Sequence, residues 1–551
     1  MLANLRLSRE PETCDCNSAP GTLQMSSITI IATQPATALD AQKFRYEIGQ
    51  ISRQSAVFFA GTMFTSVAAY AFKIYLARAL GAEALGIYAL GMTAVGTIGL
   101  VAALGLPSAA ARFVAVYTAR EDNERLRALL WRSLEILLIT NLLGGVGMFL
   151  ARHSIAQRIY HTPSLAKYMV LFALIMLSGA FTTFLGQVLA GYKDVARRTV
   201  ITNFVGSPLT MLLSLALLLV GAGLWGYLIA QVSSAFVVLL LLARSAWKLT
   251  PPQARSWRPL GPALEQEVTR FSMTLFAAAS LEFLLAQFDK ILLGHYLDVR
   301  TVGIYAVAGS ATAMLAIILQ SVNSIFGPTI ADLHAQGDYK VLGHLFETLT
   351  KWILGLSIPL ILLFMIWSRS LMGLFGADFQ AGSPLLIILC FGQAINCGTG
   401  SVGYLLLMSG HQKEMIRGQL IFGILLLLAD WSLIPVAGVR AAAVVSALGT
   451  AAINLYCLVV VRRRLGLFPY TRSYLKLAGP ALAAAVTIWV ARIAAVANHS
   501  AVVPSLMFAL VLGYGIFLAS LLLFGLDDDD RALIELGRAR ISAMFAGYSQ
   551  N

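Results

Sequence analysis

The sequence predicts an all-α polytopic membrane protein: fourteen transmembrane helices, arranged as two six-helix lobes related by an internal repeat, plus two C-terminal helices. Three observations lead there. The first is composition. Of 551 residues 58% are hydrophobic and 12% charged, about half the charged share of a soluble domain, so the polar groups cannot cover the apolar ones in water. The second is segment length. Apolar runs of about twenty residues follow one another, as a helix rising about 1.5 Å per residue needs to cross a hydrocarbon core. Runs such as 211–220 and 236–242 are apolar on every side, unlike the alternating strands of a membrane barrel. The third is repetition. Residues 73–90 read KIYLARALGAEALGIYAL and residues 290–307 read KILLGHYLDVRTVGIYAV, with eight identities in eighteen positions at an offset of 217; unrelated sequence gives about one or two.

In chain order, residues 1–50 hold Pro, Ser, Thr and Asn, and their longest apolar stretch, 28–32, is too short for a secretory signal. A disordered cytoplasmic tail is expected there. The N-lobe covers 51–243, with spans near 55–80 and 86–106 joined by a tight turn at Gly81, then spans near 128–151, 165–189, 200–220 and 224–242. Gly105 and Pro107 end the second span, and the following loop, with Arg112, Arg120, Arg125 and Arg127, is expected to be cytoplasmic. Residues 244–270, with Pro251, Pro252, Pro259 and Pro262, read as a cytoplasmic linker. The C-lobe covers 271–462, with spans near 271–296, 302–326, 349–367, 384–408, 419–434 and 441–461. Residues 463–526 supply spans 13 and 14, and 527–551, opening with four Asp, read as a cytoplasmic surface helix and tail.

Gly191 with Gly410 and Gly223 with Gly438 extend the duplication beyond one motif. Six crossings return the chain to its starting side, so the repeats are parallel and related by an axis along the membrane normal. With both termini inside, about 29 of the 40 Lys and Arg fall in inner segments and about 8 in outer loops, while Lys73, Arg132 and Lys290 lie within spans. The net charge of +13 follows this topology and implies no nucleic acid partner.

Charges inside apolar spans are the informative residues, because one near the bilayer centre costs about 2.5 to 3.5 kcal/mol even on the lenient insertion scale. Lys73 follows Ser66 and Tyr70 on one helix face, and its copy Lys290 follows Phe283 and Gln287 at the same offsets. The pair reads as two cations facing each other in a cavity across the lobe interface, the substrate-binding pair if the cargo is anionic, against the alternative that each snorkels to the near surface. Glu282 and Asp289, seven apart, read as an ion-coupling site or, with Lys290, a structural ion pair. Arg132 and Glu135 read as an i,i+3 helix pair, and Asp430 as a weaker functional candidate near the outer end of its span. Arg112, near the inner mouth of the first lobe, can offer a planar fork to phosphate, though loop charge bias explains it as well.

Gly398, Gly400 and Gly403 match a dinucleotide fingerprint, but they lie inside span 10 and not between a strand and a helix. Close helix packing or a local break is expected instead. No phosphate-binding loop, HExxH or GxSxG occurs, and Cys14, Cys16, Cys390, Cys397 and Cys457 show neither zinc nor disulfide spacing. No enzyme, cofactor or metal centre is expected.

The stretches YLARALGAEALGIYAL, GLPSAAARF after span 2, DKILLGHYLDVRTVGIYAV, and residues 396–403 followed by LLMSGHQK resemble the bacterial polysaccharide exporter, or oligosaccharide flippase, family of the MOP superfamily, over about residues 51–540. The resemblance implies a MATE-like fold with two lobes around a cavity that opens alternately to each face of the bacterial inner membrane. It implies an undecaprenyl-pyrophosphate-linked oligosaccharide as cargo, for exopolysaccharide, O-antigen (lipopolysaccharide) or capsule synthesis. Membrane lipid, a polysaccharide polymerase and a chain-length regulator are the partners it implies, with proton or sodium coupling. A lipid II flippase shares the span number and cationic logic. A drug/cation antiporter of the same superfamily fits less well, because spans 1 and 2 hold Lys73 and no carboxylate.

Overall fold

The computed structural model describes residues 38–256 and 263–523. Chain contacts separate a unit ending at Arg53 from one beginning at Gln54. The first is helical from Ala38, and the second holds the helical bundle. No strand occurs among the described residues.

The first helix, α1 (Ala38–Ala103), begins earlier than expected. Residues 38–50 follow Pro35 and hold Ala, Leu, Gln, Lys, Arg and Glu, good helix formers that outweigh Gly49. Residues 1–37 and the expected surface helix at 527–551 lie outside the described residues. Among the described residues eleven helices are long and apolar enough to cross a membrane, or up to twelve if a pair bent by 44° near residue 314 counts as one, against fourteen expected spans. Two of the helices each cover two expected spans. One is α1, broken at Gly81 (φ 77°, ψ 175°), and the other lies at 412–465, broken at Gly438 (φ 64°, ψ −147°). Both glycines adopt a left-handed φ that a side chain would strain.

Five helices come after α1: α2 (Leu106–Ala119), α3 (Asn123–Leu150), α4 (Met169–Gly191), α5 (Ser207–Leu219) and α6 (Gly223–Leu249). The α4 helix packs on α2, α3 and α6, and α5 packs on α6. A wide π-helical turn, Val200–Gly206, precedes α5; Ser234 of α6 donates to the Gly206 carbonyl it presents (2.9 Å). The expected linker is shorter than 244–270. Helix α6 runs to Leu249 and α7 (Gln266–Tyr296) starts at Gln266, because the first helix-breaking residues are Pro251 and Pro252. Residues 257–262 within it lie outside the described residues.

In the second half come α8 (Val299–Ala313), α9 (Ala316–Gln336), α10 (Tyr339–Ile366), α11 (Ser383–Thr399), α12 (Val402–Met408) and α13 (Gln412–Leu465). The α11 helix packs on α10 and α13, while α7 packs on α13 and also on α2. The last two helices, α14 (Ala478–Ala497) and α15 (Val502–Leu523), pair with each other and dock on α10. There Trp367 Nε1 donates to the Ile488 carbonyl (3.2 Å) and the Tyr514 hydroxyl to the Leu356 carbonyl (2.6 Å).

The two copies of the repeat meet at the end that carries the Gly81 turn. Gly86 lies against the Val299 carbonyl, and Gly303 against the Ala82 carbonyl, each so close that a Cβ would overlap it. Ala82 and Val299, like Gly86 and Gly303, are 217 positions apart, so the two contacts are copies of one another. A buried cluster at this end draws Leu76, Leu90 and Phe172 from the first half together with Leu293, Tyr305 and Leu386 from the second. Burial of such side chains contributes roughly 1.5 to 3 kcal/mol each in water; between membrane helices, close packing takes over that role.

Candidate functional site

On the inner side of that junction lies a cavity of about 760 Å³. Helix α1 lines it with Phe72, Lys73, Tyr88 and Thr93, α7 with Phe283, Gln287 and Lys290, and α5, α6 and α8 add Ser207, Thr210, Tyr227 and Ser310. Lys73 and Lys290, the repeat-related pair, are therefore both in its wall, each half-buried. Lys290 Nζ donates to Gln287 Oε1 at 2.8 Å, one turn back on α7. That bond uses one of three ammonium protons. Among the described residues no carboxylate lines the cavity, so this lining carries net positive charge, which acts more strongly away from bulk water.

The stripes leading to the lysines are only partly in the wall. Phe283 and Gln287 line the cavity, whereas Tyr70 packs edge-on against Phe375 with ring centroids 5.9 Å apart. Gln231 Nε2 donates both to the Tyr88 hydroxyl (2.9 Å) and to the Tyr227 hydroxyl (2.8 Å), and both tyrosines line the cavity. Two phenol oxygens are thereby fixed side by side, with ring centroids 5.1 Å apart. Sequence reading missed this polar wall. Its one visible signal was Gln231, an amide in an otherwise apolar span, beside the Tyr88/Tyr305 identity of the repeat.

Among the described residues Asp289 and Lys290 make no side-chain contact within ion-pair distance, although the Lys290 charge acts on Asp289. Successive helical residues point about 100° apart, and the Asp289 carboxylate instead accepts from the Tyr305 hydroxyl on Oδ2 (2.6 Å) and from the Lys290 backbone N–H on Oδ1 (2.7 Å). Asp430 of α13, expected near a span end, is only 7% exposed and near enough for the Asp289 charge to act on it. Its Oδ1 has no hydrogen-bond partner among the described residues. Glu282 is not brought to this group. It is exposed, and seven residues on one helix face leave about 10 Å of rise between it and Asp289.

Arg112 also stands apart from the cavity. It is exposed on α2, 3.8 Å from Glu267 and stacked over the Phe271 ring at 4.5 Å. Beside it, Glu265 accepts from the Tyr117 hydroxyl (2.6 Å) and pairs with Arg125 (2.9 Å). Burial and that bond hold the Tyr117 phenol well above its ordinary pKa, so it remains a donor. Arg132 and Glu135 form the expected i,i+3 pair at 2.9 Å. In span 10 a local break occurs, at Gly400 (φ 67°, ψ −143°) between α11 and α12, where the backbone lies against Thr350. Cys390, Cys397 and Cys457 are buried and free, while Cys14 and Cys16 fall outside the described residues.

Residues 51–334, just over half of the chain, match the family described as polysaccharide biosynthesis protein. Residues 275–418 match the MatE family. A comparison with curated proteins gives no match. Among solved structures, the fold is shared with the lipid II flippase MurJ in an inward closed conformation, at TM-score 0.67 and 13% identity over 87% of this chain and 100% of that one. It is also shared with an inward-facing multidrug resistance MATE family transporter of the MOP superfamily, at TM-score 0.60 and 15% identity over 74% of this chain and 94% of that one. A MOP superfamily transporter from Pyrococcus furiosus aligns at TM-score 0.55 and 15% identity, over 77% of this chain and 96% of that one. The helical architecture, the duplicated motif and the family match agree: the chain is a multi-pass membrane protein that belongs to the family described as polysaccharide biosynthesis protein.

Proposed function

We propose that the protein moves an undecaprenyl-pyrophosphate-linked oligosaccharide from the inner to the outer leaflet of the bacterial inner membrane by alternating access, for exopolysaccharide, O-antigen or capsule assembly. The observation that carries this reading is the pair Lys73 and Lys290 on one cavity whose lining, among the described residues, has no carboxylate. A pyrophosphate and its sugars cannot enter hydrocarbon unaided, so a polar cavity must replace their water while the prenyl tail stays in lipid. Two ammonium groups suit the pyrophosphate, and Tyr88 and Tyr227, held in the cavity wall by Gln231, offer hydroxyl groups to sugars. The lobes would be 51–243 and 271–462, rocking about the cavity between them.

An inside-negative potential assists outward movement of anionic cargo. Two charges crossing about 100 mV gain roughly 4 to 5 kcal/mol. A proton or sodium ion could be coupled through Asp289, whose carboxylate is held by Tyr305 and whose charge reaches Asp430. A lipid II flippase is the second reading, favoured by the fold shared with MurJ. Proteoliposomes loaded with each lipid separate the two: transfer of the lipid-linked oligosaccharide, lost in the K73Q/K290Q variant, supports the first, and transfer of lipid II alone replaces it with the second.

A further inference from the structure

Outer segments are expected to be poor in cations, yet Arg78, Arg300, Arg369 and Arg492 gather on one connection, residues 366–380. Arg492 donates to the Ile366 carbonyl (2.7 Å) and Arg300 binds Asp378 (2.6 Å). These two are engaged, and Asp378 is the one carboxylate of that connection. Arg78 and Arg369 differ. Both line a separate cavity of about 300 Å³, with Ser370, Gly373 and Gln380. Arg78 uses Nε on the Leu374 carbonyl (2.6 Å) and Arg369 uses Nε on Gln380 Oε1 (3.3 Å). Neither has a carboxylate within ion-pair distance among the described residues. The rim is completed by Val502, first residue of α15, whose N–H has no intrahelical acceptor.

We propose that Arg78 and Arg369 form an anion site for the phosphate of a lipid headgroup, at the bundle end that carries the Gly81 turn. Each guanidinium keeps terminal N–H groups beyond its Nε bond, in the planar fork that matches phosphate oxygens. The Ser370 hydroxyl adds a donor. Arg78 lies three residues before the Gly81 break of α1, Arg369 follows the span Tyr339–Ile366 and Val502 begins the span Val502–Leu523, so the cavity is placed at the depth where lipid phosphates lie. The site goes beyond the transport reading and does not depend on it.

Native mass spectrometry of the purified full chain, with phosphatidylglycerol, phosphatidylcholine and a prenyl pyrophosphate as separate probes, tests this. Phosphatidylglycerol should be held more tightly than phosphatidylcholine, and Arg369→Gln should lower its affinity about tenfold, the effect of losing one charge-assisted bond. Arg78 also holds the Leu374 carbonyl, so Arg369→Gln, which leaves only a side-chain partner behind, carries the test if the R78Q/R369Q variant does not fold. Loss of the prenyl pyrophosphate probe alone, in R369Q but not in K73Q/K290Q, supports the same site with a lipid-linked cargo as the source of its phosphate. Unchanged retention of both anionic lipids by R369Q overturns the proposal.

Discussion

Gly86 and Val299 touch through backbone, and the repeat makes the same contact a second time between Gly303 and Ala82. The short motif that duplicates in the sequence is thus the place where its two copies meet. Glycine is needed at 86 and 303 because the facing carbonyl occupies the space of a Cβ. Gly86→Ala should therefore cost about 1 to 3 kcal/mol by overpacking, and the G86A/G303A variant more than either alone. Gly147→Ala, with open space around it, should be neutral or slightly stabilising. Thermal unfolding in detergent measures all three; equal melting temperatures for G86A and G147A would contradict the contact.

The paired cations make a second prediction. If Lys73 and Lys290 hold one pyrophosphate, the two single Gln variants should each weaken cargo binding by about tenfold or more, and the double variant by less than the product, since neighbours sharing a ligand are not additive. Gln287→Leu should have a smaller effect, because it removes only the 2.8 Å bond that orients Lys290. Binding of a prenyl pyrophosphate by these variants checks the order. A double variant that binds like wild type would leave the lysines as snorkelling residues.

How far the sequence reached can be judged at these positions. The repeat, the turns at Gly81 and Gly438 and the break near Gly400 were legible because periodicity and glycine leave local marks. Lys73 and Lys290 could be named because duplication singled them out. Tyr305 on Asp289 and Gln231 on Tyr88 were not legible, since each bond joins helices whose rotation the sequence does not fix. Arg112 illustrates the opposite failure: its chemistry suited phosphate, but α2 turns it to Glu267 and Phe271 and away from the cavity.

That displacement is itself testable. Arg112→Gln removes an exposed pair at 3.8 Å, of a kind that contributes about 0 to 1 kcal/mol. Transport and prenyl pyrophosphate binding by R112Q should stay within about twofold of wild type, and a loss comparable to that of K73Q would return Arg112 to the binding set.

Ion coupling is addressed by Asp289 and Asp430. Asp289→Asn keeps the shape and can still accept from Tyr305, yet it cannot exchange a proton or neutralise a cation. Transport by D289N in proteoliposomes should lose its response to an imposed proton or sodium gradient while a response to membrane potential persists, because the cargo charge is unchanged. Asp430→Asn should give a partial form of the same loss. A D289N protein that follows the ion gradient as wild type does would confine Asp289 to a structural bond with Tyr305.

Two histidines join the halves at the segment before α4 and the end of α7. His161 Nδ1 lies 2.8 Å from the His295 carbonyl, and His295 Nδ1 lies 2.7 Å from the Ile159 carbonyl, with the two rings 4.9 Å apart. Both nitrogens face acceptors, so both must carry hydrogen. The pair forms a reciprocal clasp between the segment before α4 and the end of α7, alongside Gly294 against Leu90 and Tyr160. Replacing both histidines by Phe keeps the rings and removes both donors, at about 0.5 to 1.5 kcal/mol per bond. The share of molecules open at that end should then rise about tenfold. A cysteine at Thr93 in the cavity wall, in a background without the native cysteines, should be labelled correspondingly faster from that side by a membrane-impermeant maleimide. Labelling at the wild-type rate would show that the glycine contacts alone keep the cavity shut.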